Sequence, residues 1–280
     1  MECWQSNPAL MEDKQCMGGP HGLPKVSVVT VVYNAAATLE RTILSVLDQG
    51  YPNLEYIIVD GGSTDGTVDI IKRYEPNLAR WTSGKDEGIY DAMNKGIAMA
   101  TGEWVGMINA DDAYGSGAIC KAMRAAGGRA EINIVHGDIL IQYPNGSVKR
   151  KRAKRSTFLL KYWEMVLNHP SFFVRRSYYR QHPFDPAFRV SGDHLWTLRA
   201  WRENPGQFLY LPEVLAHFSA GGASTTNTLG RVLKESDRMN DALGFSTGEK
   251  WLARCVRTCL YVPSMLKLRF NRFVATLRTK

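Results

Sequence analysis

Between Lys25 and Asn34 the chain reads KVSVVTVVYN, a β-branched run without polar alternation. Such a run predicts a strand buried on both faces, as in the middle of a parallel sheet. Leu39, Ile43, Val46 and Leu47 then recur at helical spacing behind Thr38, with Gly50 and Pro52 as the stop. LEYIIVD predicts a second buried strand ending at Asp60, followed by the turn GGSTDGT and a helix with Val68, Ile71 and Tyr74 on one side. ARWTS is a weaker third strand. Ile89, Met93, Ile97 and Ala100 mark the next helix, Gly102 ends it, and EWVGMI runs into Asn109 as a fourth strand. Strands alternating with helices predict an α/β fold built on a doubly wound, mostly parallel sheet.

The pattern loosens after Asp112. INIVHGDILIQYPNGSVKRKR reads as strands around a Pro-Asn-Gly turn, SFFVRRS as a short strand, and GQFLYLPE as another. GDHLWTLRAWRE opens a helix at or near Asp193, with Leu195 and Leu198 inward. The change near Lys149 separates two halves of one domain.

Charge alters this picture only at one end. The chain carries 35 Lys and Arg against 27 Asp and Glu over 280 residues. Lys250 to Lys280 hold eight of the cations and no acid, so the whole excess of +8 sits there. A uniformly basic nucleic-acid-binding domain is therefore excluded, and no nucleic-acid partner is expected. Trp251, Leu252, Cys255, Cys259 and Val262 fall on one helical stripe, and Met265, Leu266, Leu268, Phe270, Phe273, Val274 and Leu277 form a second apolar population among cations. That mixture predicts a basic amphipathic helical tail on an anionic membrane surface. No apolar run approaches the ~18 residues of a spanning helix. Residues 1–24 lack the apolar stretch of a signal peptide and read as a flexible leader. Five cysteines, two of them in the leader, do not read as a disulfide framework, and a cytoplasmic location follows.

Candidate chemistry collects at the carboxyl ends of the predicted strands, where ligands of open α/β sheets bind. Tyr33-Asn34, Asp60 and Asn109 to Asp112 all fall there. Two adjacent carboxylates directly after an apolar run cost energy unless a cation, solvent or a hydrogen-bond network takes them up.

VSVVTVVYNAAATLERTILSVLDQGYPNLEYIIVDGGSTDGT, followed by DEGIYDAMNKGIAMATGEWVGMINADD, resembles the family 2 glycosyltransferases with the GT-A fold. The likeness is to the bacterial branch that builds exopolysaccharide and O-antigen repeat units. It continues more weakly through NHPSFFVRRS and SGDHLWTLRAW. The resemblance implies inverting transfer of a sugar from a nucleotide diphosphate donor, UDP-linked by expectation, with Mn²⁺ or Mg²⁺ as cofactor. It further implies a saccharide acceptor, lipid-linked, met at the cytoplasmic face of the inner membrane.

Residue by residue, Asp111 occupies the metal position of the family's Asp-x-Asp, with Asn109 in place of the other acid and Ala110 between them. Asp112 is expected beside the metal ligand as an acceptor from backbone amides, and Asp112 and His217 are further metal candidates. Asp60 takes a nucleoside contact, although relatives have a second acid where Gly61 stands. Thr30, Val32, Tyr33 and Asn34 line the same pocket, and Lys85, Asp86 and Asn94 face the donor sugar and diphosphate. Asp193 matches the general base, with helix capping as its competing role; His169 and His217 are lesser candidates, and His194, next to Asp193 on the helix, points away from it. The domain layout expected is a leader over 1–24, a GT-A domain over 25–248 with halves 25–148 and 149–248, and the tail over 249–280. Two competing readings are a nucleotidyltransferase, which lacks its Gly-rich basic loop after the first strand, and a catalytically inactive nucleotide- or sugar-binding module.

Overall fold

The computed structural model describes residues 16, 22–221 and 229–259. The remaining leader residues and the tail positions after 259 lie outside the described residues. β1 (Val26–Val32), β2 (Leu54–Asp60), β3 (Arg80–Ser83) and β4 (Trp104–Asn109) pair in parallel in the order β3-β2-β1-β4. They are joined by α1 (Leu39–Leu47), α2 (Thr67–Tyr74) and α3 (Ile89–Met99). The β-branched run at β1 is buried at every position. Val29 and Val31 enter the core under α3, whereas Val26, Val28 and Val32 enter the opposite one with Leu39 and Ile43. That two-sided burial is why no alternation is visible in its sequence.

β5 (Ala113–Tyr114) and α4 (Ala118–Ala126) follow. The second half supplies β6 (Ile134–Gln142), β7 (Val148–Lys151), α5 (Thr157–Tyr162), β8 (Phe173–Arg175), α6 (Arg176–Gln181), α7 (Gly192–Glu203), β9 (Phe208–Ser219) and α8 (Leu229–Ala242). A further helix, α9, occupies 247–259. The sheet continues from β4 through β8, β6 and β9 to β5, antiparallel at β4–β8 and β8–β6 and parallel at β6–β9. β7 hangs on β6 as a hairpin around Tyr143–Ser147.

Several expectations need correction. The inner face of α3 is Tyr90, Met93, Gly96 and Ile97; Ile89 is exposed, because the helix starts behind Gly88 with Tyr90 turned inward. In α2 the buried residues are Thr67, Ile70 and Ile71, not Val68 and Tyr74. Cys16 and Cys120 form a disulfide, with Cα atoms 5.7 Å apart, so the reading that excluded one was wrong. In a reducing cytoplasm this pair would stand as two thiols. The start of the expected tail is also docked. Ala253 is fully buried, and Arg257 donates to the carbonyls of Trp163 and Lys161. Trp251, at 70% exposure, and Leu252 face outward. Among the described residues no helix is long and apolar enough to cross a membrane.

Candidate active site

The paired carboxylates after β4 divide into two roles. Asp112 is fully buried, and its Oδ1 accepts from the Ser219 amide at 3.0 Å, while its Oδ2 has no partner among the described residues. Burial, followed by repulsion from Asp111, pushes its carboxyl well above the usual carboxylate range. Asp112 is thus an internal clamp from the β4 loop to β9. Asp111 is only partly buried; burial raises its carboxyl, and Arg41 opposes that rise. The Arg41 guanidinium and the Ser219 hydroxyl both donate to the Asp111 carbonyl, which fixes the loop while leaving the carboxylate to other partners. Arg41 also donates to Ser219 Oγ at 2.8 Å.

His217 stands opposite Ala113 in the β5–β9 ladder, beside this pair. Burial, with Arg41 contributing, lowers its pKa, so near neutrality it presents an uncharged imidazole. Among the described residues no group of three His, Cys, Asp or Glu side chains converges as a ready metal cage. One carboxylate on a cleft edge still fits a hard dication that takes its other oxygens from a diphosphate and water.

Asp60 ends β2 with its oxygens engaged by its own loop. Oδ2 accepts from the amides of Gly62 and Ser63 and from the Ser83 hydroxyl, and Oδ1 accepts from the Ser63 hydroxyl. The carboxylate therefore shapes the turn and retains little capacity for a nucleoside. Gly61 has a steric reason: a Cβ there would stand 2.5 Å from Asp86 Oδ2 and 3.4 Å from the Tyr33 ring. Tyr33 is 66% exposed, an open aromatic face beside Asp86. Asn34 adopts φ 48°, a conformation asparagine tolerates better than most residues, and its Oδ1 accepts from the Thr64 amide.

Other predicted site residues go elsewhere. Thr30 is fully buried and bonds the Tyr56 hydroxyl, so it belongs to the core and does not line a pocket. Val32 packs in the core, and its carbonyl accepts from the Gly61 amide. Ala110 is buried, while Asn109 stays half-buried at the strand end. Asn94 exchanges two hydrogen bonds with the backbone of Phe184, tying α3 to the segment before α7 instead of facing the donor loop. Lys85 is exposed. Asp86 accepts from the Gly88 amide through Oδ1, which leaves Oδ2 directed at Gly61.

Asp193 lies in the first turn of α7, two residues past the N-cap Ser191, so it is not the cap. Its Oδ1 accepts from the Tyr90 hydroxyl at 3.0 Å and from the His194 amide at 2.9 Å, and among the described residues nothing donates to Oδ2. His194 is buried on the Leu160 carbonyl, and burial pushes its pKa down to about 4. His169 is likewise buried, with its pKa lowered by burial and partly restored by Asp193.

Sequence reasoning missed Glu235 of α8. Its carboxylate accepts from three successive amides, Arg189, Val190 and Ser191, at 2.9–3.1 Å. Tyr90 holds the Val190 carbonyl as well as Asp193. Arg189 meanwhile packs its guanidinium against Gly88, whose φ of 117° and missing Cβ admit it. The loop before α7 and the loop before α3 therefore touch directly, and Tyr90 of α3 ties the first to Asp193. No local sequence pattern signals Glu235, because its partners lie more than forty residues away.

The model of Glycosyl transferase family 2 matches residues 27–182, more than half the chain, and the chain belongs to that family. It is 29% identical over 215 residues to a PGL/p-HBAD biosynthesis glycosyltransferase of Mycobacterium bovis, covering 72% of this chain and 80% of that one. Among solved structures, S. aureus TarS superposes with a TM-score of 0.62 at 17% identity, over 82% of this chain and 41% of that chain. Its 1–349 fragment has been solved with UDP-GlcNAc, with a TM-score of 0.60, 18% identity, and 77% and 66% of the two chains covered. The mannosyltransferase PcManGT of Pyrobaculum calidifontis, in complex with GDP-Man and Mn²⁺, gives a TM-score of 0.61 at 18% identity over 93% and 83%. The curled α/β sheet flanked by helices is of this GT-A kind.

Proposed function

We propose that the protein transfers a sugar, with inversion, from a UDP-sugar to a hydroxyl of a lipid-linked saccharide in cell-surface polysaccharide synthesis. One observation carries this reading. Tyr90 on α3 holds Asp193 by one oxygen, while the loop that opens α3 carries Asp86 to Gly61 and Tyr33. The candidate base, on α7, and the candidate donor-sugar contact, in the loop before α3, thus both bear on α3.

In this mechanism the acceptor hydroxyl attacks the anomeric carbon from the face opposite the diphosphate. Its oxygen forms the new C–O bond as the bond to phosphate breaks with its electron pair, and Asp193 Oδ2 takes the hydroxyl proton. Tyr33 offers the nucleobase an aromatic face, and Asp86 Oδ2 accepts from a sugar hydroxyl. Asp111, with His217 nearby, would hold Mn²⁺ or Mg²⁺. A bound dication supplies Lewis-acid neutralisation of the charge gathering on the departing diphosphate. Asp112 holds the Ser219 amide and is structural.

The reading rests on family membership and on the UDP-GlcNAc and GDP-Man complexes of proteins sharing the fold. It is tested by titration with UDP and Mn²⁺, by donor hydrolysis, and by NMR of the product's anomeric configuration. Binding without hydrolysis of any nucleotide sugar would favour the inactive module, and a retained configuration would remove Asp193 from its role. For the tail, the outward Trp251 and Leu252 support peripheral association with an anionic membrane surface. The variant Trp251→Ser/Leu252→Ser, which keeps the docked α9, should lose much of its co-sedimentation with anionic vesicles while retaining donor hydrolysis.

A further inference from the structure

The hairpin of β6 and β7 carries a concentration of charge that the transfer chemistry leaves unused. Outside the C-terminal tail the chain's charges balance, yet Lys149 to Arg155 place six cations within seven residues. A cleft of about 410 Å³ opens beside them, lined by five of these cations, by a single acid, Glu164, and by Ile141, Tyr143 and Val166. Two of the five are engaged in holding the fold. Arg150 pairs with the buried Asp138 at 2.8 Å, and Lys151 reaches Glu164 and the Met165 carbonyl. Lys154 lies over the Trp163 ring at 6.0 Å. Lys149 and Arg152 are exposed, and neither has a carboxylate partner among the described residues.

The cleft adjoins the candidate site on two sides. Ile141 pairs with Lys149 on one side and Phe218 on the other, and the next residue, Gln142, pairs with Ser219, which clamps Asp111 and Asp112. At the other wall, Asn168 donates to the carbonyls of Gly137 and Lys151, one residue before His169, whose ring feels Asp193. The hairpin therefore stands past β9 from the Asp111 loop.

A small cationic cleft with an apolar floor matches a phosphate or diphosphate carried on a hydrocarbon chain. A nucleic acid would require an extended basic track, which the balanced remainder of the chain does not supply. We infer that the Lys149/Arg152 cleft is an anion subsite for the phosphate groups of the acceptor's lipid carrier, holding that carrier while its sugar is presented to Asp193. The inference rests on the acceptor reading above. It deepens that reading by naming a charged group that the acceptor must carry and the residues that meet it.

The test uses the full chain and the variant Lys149→Ala/Arg152→Ala, with the donor site filled by saturating UDP. Geranyl diphosphate and inorganic pyrophosphate are titrated by calorimetry, and donor hydrolysis and UDP affinity are followed as controls. Removing two charge-assisted contacts should weaken binding of both probes by about tenfold or more, with UDP affinity and donor hydrolysis unchanged. Geranyl diphosphate should bind wild type more tightly than pyrophosphate, because Ile141 and Val166 lie beneath the cations. Equal binding of both probes by variant and wild type overturns the inference. So does a variant that binds geranyl diphosphate normally but loses sedimentation with phosphatidylglycerol vesicles, since the cleft would then serve the bilayer and not the acceptor. Failure of donor hydrolysis in wild type would sink the transferase reading instead, a result independent of the probe titrations.

Discussion

The two sides of the proposed site, a donor wall and an acceptor wall, are built by different means. On the donor wall, each side chain sits where a parallel strand stops: Asp60 after β2, Tyr33 and Asn34 after β1, Asp111 after β4. Their positions follow from short strand–turn–helix units; Asp60 is held by its own loop, although the Asp111 loop is also held by Arg41 and Ser219 from far along the chain. On the acceptor wall, Asp193 begins a helix whose preceding loop has no regular structure. That loop is held by Glu235 from forty-odd residues downstream and by Tyr90 from a hundred upstream. The donor wall is set by where strands end, the acceptor wall by long-range contacts to its loop. Substitutions should therefore separate into those that alter donor binding and those that alter turnover alone.

The largest effect is expected at Asp111. Asp111→Ala should lower turnover by about a thousandfold, as for loss of a dominant electrostatic stabiliser, and should abolish the metal dependence of UDP binding seen by calorimetry. Asp112→Asn should be milder, because the buried carboxyl already favours its protonated form. Near wild-type turnover in both variants would show that the donor wall does not depend on this loop.

Asp193→Asn should cut turnover by about a hundredfold while UDP affinity stays within about twofold. The amide keeps an acceptor for Tyr90 and the His194 amide but cannot take the proton. If UDP affinity and melting temperature fell together with turnover, the residue would be structural and the division between the walls would fail.

Glu235→Ala comes next, because it strips the acceptor from three amides without touching either candidate chemical group. Turnover should fall by about tenfold at unchanged UDP affinity, and Glu235→Gln should recover only part of that loss, since the amide offers one accepting oxygen instead of two. Full recovery in the Gln variant would show that the paired carboxylate oxygens are not what orders the loop.

What was legible beforehand follows the same division. The parallel strands and the polar residues at their ends could be read from KVSVVTVVYN and LEYIIVD, because burial on both faces leaves an unbroken apolar run. The face of α3 was misread, since Ile89 fits the helical period as well as Tyr90 does, and only the position of Gly88 decides which turns inward. The resemblance sets Thr30 in the pocket, whereas its hydroxyl is buried in a strand covered on both faces and is satisfied by Tyr56. Glu235 and the Cys16–Cys120 bond were invisible for a common reason: each is defined by a partner far along the chain. Of the two carboxylates in succession, Asp112 is the one that accepts from a backbone amide, as expected for it, and the Ser219 partner is what the sequence does not show.

The smallest effect concerns Gly61, where the family resemblance led one to expect a second acid. A methyl group at this position would stand 2.5 Å from Asp86 Oδ2, closer than nonbonded atoms allow, and the short aspartate side chain has little room to retreat while Oδ1 holds the Gly88 amide. Gly61→Ala should therefore push Asp86 off its position and raise the donor KM by about fivefold, the size of one weakened hydrogen bond, with kcat little changed. If displacement of Asp86 is the cause, Gly61→Ala should have no further effect in an Asp86→Ala background, and a double-mutant cycle reads that directly. Additive losses in the cycle would mean that Gly61 acts through the backbone turn or through Tyr33. The donor contact would then have to be sought at the aromatic ring instead of at the carboxylate.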